Sequence, residues 1–296
     1  MKFHVYPQEH LLERPEIGIY YSTTPSPINC KYIKSHPPDD CDYFVVPMKI
    51  KNHDAQEMMD FLLPQLKYYE QCPEKHIFFC TADQQPTVIH LLKSIVFKIS
   101  VYETDTQFHC MYYNPIVKPI SLTPISSAEY DVMFVGAISN ELRKNMLKAV
   151  KESNMKSLLE EYLFWHSPRD QNVEAKITYE KKMHMAKFVL CPKGNCPQSV
   201  RFYESLCFGR IPIFISDGAR LPMEYKIKYD DFIIRIAESE LHLIEQKIDD
   251  FNHTHDLTET SKMCRNVWER YFSEDSFEWF IKQNINYTKL NLCLPN

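Results

Sequence analysis

The chain has 296 residues, of which 44% are hydrophobic and 25% charged, and it carries a net charge of −5. At roughly 100–200 residues per domain this length predicts two domains, and the mild negative balance without a Lys/Arg-rich run argues against a nucleic-acid groove or an anionic membrane patch. A stretch of about 18 apolar residues is lacking and the opening reads as a short strand, so the pattern predicts neither a membrane span nor a signal peptide, and hence a cytoplasmic protein.

The ten cysteines include several inside apolar runs, such as Phe78-Phe79-Cys80 and Val189-Leu190-Cys191. This usage reads as buried free thiols in a reducing compartment rather than as a disulfide framework. No Cys-x-x-Cys pair exists, and Cys191 with Cys196 has no second pair to complete a zinc tetrahedron. Two glycosylation sequons, Asn252-His253-Thr254 and Asn286-Tyr287-Thr288, would matter only in a secreted protein.

In chain order, short apolar runs predict strands at Phe3–Tyr6, Tyr43–Pro47, His76–Cys80 and Ile95–Ser100, with a helix at Asp54–Tyr69. The stretch Asn114–Ser127 is rich in Pro and Ser and has no periodicity, which marks a domain boundary. Beyond it, strands are predicted at Val132–Val135, Tyr162–Trp165, Phe188–Cys191, Ile211–Ile215 and Phe232–Ile236. Helices are predicted at Glu141–Ser153, Asn172–Ala186, Ser199–Phe208, Glu238–Phe251, Thr258–Phe272 and Ser276–Asn284. The alternation implies α/β architecture with parallel sheets, and ligands in such folds gather at the carboxyl ends of the strands. The division is residues 1–125, 126–272 and a closing helix at 273–296 that packs back on the first domain.

Only five glycines occur, Gly18, Gly136, Gly194, Gly209 and Gly218, and four lie in the second half beside predicted strands. In a chain so poor in glycine these mark backbone that needs positive φ or a close approach to a ligand. Gly136 and Gly194 each follow a strand, where a phosphate could meet a helix N-terminus.

Lys187 through Asp217 reads as one β-α-β unit. Its loop and first helical turn offer Gly194, Ser199 and Arg201 to a diphosphate. Arg201 and Glu204 are three apart and share a helix face, so an arginine for the pyrophosphate could sit beside a carboxylate for ribose hydroxyls. The same spacing equally describes an exposed helical ion pair with Ser199 as a cap. Neither Gly-x-Gly-x-x-Gly nor a Walker loop is present.

The order of these pieces is more specific than any one of them. Ala186-Lys187-Phe188-Val189-Leu190-Cys191-Pro192-Lys193-Gly194, Ser199-Val200-Arg201-Phe202-Tyr203-Glu204, Gly209-Arg210-Ile211-Pro212-Ile213-Phe214-Ile215-Ser216-Asp217 and Leu221-Pro222 together resemble the exostosin family of glycosyltransferases, GT47. Weaker echoes are Tyr43-Phe44-Val45-Val46-Pro47, His76-Ile77-Phe78-Phe79 with Asp83, Phe134-Val135-Gly136 with Arg143, and Lys228-Tyr229-Asp230-Asp231-Phe232. In size the chain is similar to the short exostosin-like enzymes of large algal viruses, which would place it in a host cytoplasm.

The resemblance implies a GT-B fold, two Rossmann-like domains facing a cleft, with a UDP-sugar donor, inversion at the anomeric carbon and a glycan or glycoprotein acceptor. By position it puts Ser199 and Arg201 on the diphosphate and Glu204 on the ribose, with Gly136 and Arg143 flanking the phosphates and Lys193, Gly194 and Asp217 completing the donor site. UDP-xylose is the first donor considered, ahead of galactose, glucuronic acid and glucose. No cofactor or metal is required in such a mechanism: basic side chains and a helix dipole stabilise the leaving diphosphate. The base would be Asp83, after strand His76–Cys80, with His53, Asp54 and His166 behind it. Alternatives are a GDP-fucose-dependent enzyme and a non-catalytic sugar-binding module. Asp40-Cys41-Asp42 spells a metal-binding Asp-x-Asp but precedes its strand, and is set aside. Trp165 could stack on a sugar, whereas Trp268 and Trp279 sit at helical spacing and read as core.

Overall fold

A strand whose residues are nearly all apolar must be covered on both faces, which is the condition of a central strand in a parallel sheet. His76–Cys80 and Ile211–Ile215 are such strands, buried at every residue. A computed structural model of the chain places them in two separate sheets and describes residues 1–14, 19–20, 30–50, 60–80, 93–99, 101–162 and 173–292. The chain forms two compact units: Met1–Tyr112 with Arg220–Met223 and Tyr271–Asn296, and Tyr113–Ala219 with Glu224–Arg270.

The first unit holds β1 (Phe3–Val5), β2 (Ile19–Tyr20), β3 (Tyr43–Ile50), β4 (His76–Cys80), β5 (Ile95–Lys98) and β6 (His109–Cys110). Its sheet runs β1-β3-β4-β5-β6 in parallel, with β2 antiparallel on β3. Phe277–Leu292, the last helix described, belongs to this unit. Phe277 lies with its ring centroid 5.8 Å from Phe79, and Phe280 lies 6.1 Å from Phe97 and 4.9 Å from Tyr112.

Within this sheet His76 is fully buried. Its Nδ1–H donates to the Cys72 carbonyl at 2.9 Å, so Nε2 accepts from the Tyr6 hydroxyl at 2.9 Å, and the ring stacks on Phe44. Burial holds the imidazole below its ordinary value of 6.5. Neutral His76 therefore contributes stability above pH 6.5, and that contribution is lost as pH falls toward the lowered folded value. Thermal unfolding at pH 7.5 and pH 5 is expected to show an acid-side loss. The His76→Gln variant should be less stable at pH 7.5 and should show a shallower loss. An unchanged slope would assign the acid sensitivity to other groups.

The second unit holds β7 (Tyr130–Ala137), α1 (Glu141–Lys151), β8 (Ser157–Tyr162), α2 (Val173–His184), β9 (Ala186–Pro192), α3 (Val200–Cys207), β10 (Ile211–Ile215), β11 (Ile234–Ile236), α4 (Ile244–Thr254) and α5 (Leu257–Val267). The helix Phe277–Leu292 of the first unit is α6. The sheet order is β11-β10-β9-β7-β8, all parallel. In order of appearance this is 2-1-3-4-5, a doubly wound sheet whose topological switch lies between β7 and β9. These are the two Rossmann-like α/β units of which the GT-B class is built.

Several sequence expectations differ from the structure. The strand expected at Tyr162–Trp165 is β8, Ser157–Tyr162, and Trp165, His166 and Arg169 lie outside the described residues. β8 is an edge strand whose Glu160 and Glu161 pair with Lys182 and Lys151, so it needs no apolar run. The helix expected to reach Tyr69 gives way at Leu63–Gln65 to a 3-10 turn containing Pro64, which cannot continue an α-ladder. Glu238–Leu243 is 3-10, broken at Glu240, before α4 begins. The expected boundary stretch Asn114–Ser127 belongs to the second unit, where Ile116 and Ile120 amides donate to Glu204 and Glu180. Asp40 and Asp42 are taken by Lys2, through its ammonium and its backbone amide respectively. Trp268 is buried, and half-buried Trp279 lies against the Tyr271 ring. Among the described residues no helix is long and apolar enough to cross a membrane, and nine cysteines are free thiols.

Candidate functional site

The carboxyl ends of β7 and β9 flank the switch point, and residues after β7 reach the loop after β9. Asn140 caps α1: its Oδ1 accepts the Arg143 amide at 3.0 Å, and its Nδ2 donates to the carbonyls of Lys193 and Gly194 at 3.3 and 3.2 Å. Arg143, one turn on, donates from Nη1 to Ala137 O at 2.8 Å, from Nε to Lys193 O at 3.1 Å and from Nη2 to Pro192 O at 3.4 Å. One guanidinium thus ties the β7 end to the loop after β9.

The glycines at these ends are explained by arginines. A Cβ on Gly194 would stand 3.0 Å from Arg143 Nη2, and one on Gly136 would stand 2.2 Å from Arg201 Nη2. The close approach foreseen for these positions is therefore to an arginine, and the Gly194 amide is already given to Cys196 O at 3.1 Å. Among the described glycines, Gly209 and Gly218 have positive φ, +62° and +64°. Gly209 closes α3 as a Schellman turn, with its own amide on Leu206 O and the Arg210 amide on Ser205 O.

Helix α3 is buried from Arg201 to Cys207. Arg201 is 3% exposed and Glu204 is 0% exposed. An exposed ion pair is therefore ruled out. The Arg201 guanidinium lies 4.5 Å over the Phe134 ring and donates from Nη2 to Val135 O at 2.6 Å, while its Nε is buried without a partner. Ser199 occupies the N-cap position with extended backbone and makes no side-chain capping bond. The first turn of α3 therefore offers an unfilled guanidinium donor and a hydroxyl not spent on capping, at the positive end of a helix. Burying a guanidinium whose donors are unmet is costly, and an anion would offset that cost.

Glu204 is held from outside α3. Its Oε2 accepts the Tyr179 hydroxyl at 2.8 Å and its Oε1 accepts the Ile116 amide at 3.3 Å. Lys193 and Asp217 meet through Glu238, whose Oε1 lies 2.5 Å from the Lys193 ammonium and accepts the Asp217 amide at 3.0 Å. The Glu238 amide in turn donates to Asp217 Oδ1 at 2.9 Å. Burial pushes the Cys191 thiol, at the end of β9, up to about 12, which disfavours the thiolate. Asp83, His53 and Asp54 lie outside the described residues.

Of the expected set, the structure brings Gly136 to Arg201, Gly194 to Arg143, and Lys193 to Asp217. Asn140, Tyr179 and Glu238 were not foreseen. Asn140 carried a signal, being a good N-cap just ahead of Glu141. Tyr179 and Glu238 carried none. Gly136→Ala tests the packing directly: the added methyl must displace the buried guanidinium of Arg201. A stability loss of about 1–3 kcal/mol is expected from overpacking, with anion binding falling as it does in an Arg201 variant. Wild-type anion binding would disprove the coupling.

The chain matches the model of the Exostosin GT47 domain over residues 19–248. It is 34% identical over 91 residues to a probable glucuronosyltransferase of Oryza sativa subsp. japonica, covering 31% of this chain and 20% of that protein. It is 35% identical over 63 residues to the probable glucuronoxylan glucuronosyltransferase IRX7 of Arabidopsis thaliana, covering 21% and 14%. It is 34% identical over 76 residues to the probable beta-1,4-xylosyltransferase IRX10L of the same plant, covering 26% and 18%. The matches thus span a fifth or less of these relatives' length. The crystal structure of TarM aligns with a TM-score of 0.42 at 12% identity, over 74% of this chain and 56% of that one. With the family model covering most of the chain, this protein belongs to the exostosin GT47 family.

Proposed function

We propose that the protein is a glycosyltransferase that takes a sugar from a UDP-sugar and passes it to a hydroxyl of a glycan, and that the donor's diphosphate sits at the first turn of α3. The observation that carries this reading is Arg201, a guanidinium 3% exposed with its Nε unpartnered, at the switch point of a doubly wound sheet. Ser199 supplies a hydroxyl beside it. Arg143 acts by fixing the two loops through carbonyls, and the ribose contact of Glu204 uses the lone pairs that its bonds from Tyr179 and the Ile116 amide leave open, once the buried carboxylate is uncovered. The names of the relatives, glucuronosyl- and xylosyltransferases, support UDP-xylose or UDP-glucuronate as donor, with UDP-xylose first. Inversion with Asp83 as base and no metal completes the reading. Asp83→Asn should keep UDP binding and lose transfer.

Thermal stabilisation against UDP, GDP and their sugars, with and without EDTA, tests the donor. Stabilisation of about 3 kcal/mol is expected at a hundred times the dissociation constant, for UDP and not for GDP, and unchanged by EDTA. Selective stabilisation by GDP would overturn the donor, and loss of UDP binding in EDTA would overturn metal independence.

A further inference from the structure

The residues that the donor reading assigns to the sugar nucleotide include one cation that the protein already holds with its own anion. Lys193 follows β9, Asp217 follows β10 and Glu238 follows β11, so the three lie on the carboxyl ends of adjacent strands. Glu238 and Asp217 are joined twice, each backbone amide donating to the other's carboxylate, at 2.9 and 3.0 Å. This reciprocal pair closes without Lys193. The Lys193 ammonium adds a single contact, 2.5 Å to Glu238 Oε1, and both side chains keep some exposure, 31% and 23%.

We infer that Glu238 is an internal competitor for the donor's anionic group: it holds Lys193 when the site is free, and gives the ammonium up to the diphosphate when donor binds. This rests on the donor-site reading above. Three features favour an exchangeable contact over a purely structural one. The Glu238–Asp217 pair keeps the loops after β10 and β11 joined whichever anion Lys193 faces. A partly exposed single ion pair is weak, so a doubly charged phosphate group can displace it. Lysine, a point charge on a flexible stem, can swing between two anions with no planar geometry to satisfy, unlike the buried and wedged guanidinium of Arg201. The donor site thus combines one fixed cation with one that is lent to a carboxylate. Glu238 is in this sense a positioning residue, acting on the donor through Lys193.

The test is a double-variant cycle on UDP affinity, measured by calorimetry on the full chain. Glu238→Gln keeps an oxygen for the Asp217 amide and its own amide for Asp217, and removes only the competing charge. It is expected to bind UDP three- to tenfold more tightly than wild type. Lys193→Met should weaken UDP binding, and adding Glu238→Gln to it should bring no further gain. Equal or weaker binding by Glu238→Gln would overturn the competition, as would a gain that persists without the lysine. The donor reading would survive either result, because wild type would still bind UDP. Failure of wild type and Glu238→Gln alike to bind UDP would remove both.

Discussion

Arg201→Ala is expected to lower UDP affinity by roughly a hundredfold or more while leaving the protein folded. The guanidinium is buried, wedged against Gly136, laid over Phe134 and bonded to one carbonyl, so its remaining donors are preorganised. Losing one partner of a buried, hydrogen-bonded charge pair costs about 2–5 kcal/mol, and about 3 kcal/mol of that is two decades in the dissociation constant. The fold loses a donor to Val135 O and a patch of ring packing, a smaller effect on a strand whose ladders to β8 and β9 remain. Arg201→Lys should recover little, because an ammonium cannot keep the Val135 contact and present a planar fork at once. Calorimetric titration with UDP reads the result directly. Affinity within a few-fold of wild type would make Arg201 a structural residue of α3 and would take the central support from the donor reading.

The largest loss of stability is expected elsewhere, at Arg210. Its side chain is fully buried. Nε donates to Met183 O at 3.1 Å, and Nη2 donates to Thr123 O at 3.1 Å, Thr123 Oγ1 at 2.8 Å and His184 O at 3.1 Å. Burial lowers the guanidinium to about 10, which still leaves it charged near neutrality. It staples the segment before β7 to the end of α2 through three carbonyls and the Thr123 hydroxyl. Arg210→Leu takes a donor from one buried and three part-buried acceptors, at about 1–3 kcal/mol for each left unmet, so a total near 4 kcal/mol is expected, or roughly a 10 °C drop in the unfolding of the second unit. Arg210→Lys should fall nearly as far, since one ammonium cannot span these carbonyls. A drop of only a degree or two for both would show that the segment before β7 is held by other contacts.

The contrast between these two arginines marks what the sequence made legible. Strands β4 and β10 could be read to the residue because burial on both faces leaves a run that is apolar but for His76. The edge strand β8 could not, because an edge is built from polar residues and ion pairs. At the site, glycine scarcity singled out positions where backbone must be approached closely, and Gly136 and Gly194 are such positions. The approaching group could not be read, because Arg201 and Arg143 reach them through the fold. The shared helix face of Arg201 and Glu204 was visible in their spacing, while the hands that hold the neighbours of Arg201, Tyr179 for Glu204 and Glu238 for Lys193, come from distant segments with no pattern of their own. Asp83 falls outside the described residues, so the base rests on the motif alone.

The first unit is assembled from three stretches, the third being Tyr271–Asn296. Phe277 and Phe280 on α6 cover Phe79, Phe97 and Tyr112, residues that lie on β4, on β5 and just after β6. During synthesis these rings leave the ribosome long before the helix that shelters them, with every residue of the second unit made in between. The second unit can therefore complete its core first, while the first unit waits with these rings uncovered. For that interval the first unit carries the transiently exposed apolar surface that makes a nascent chain prone to aggregate, and α6 is what covers it.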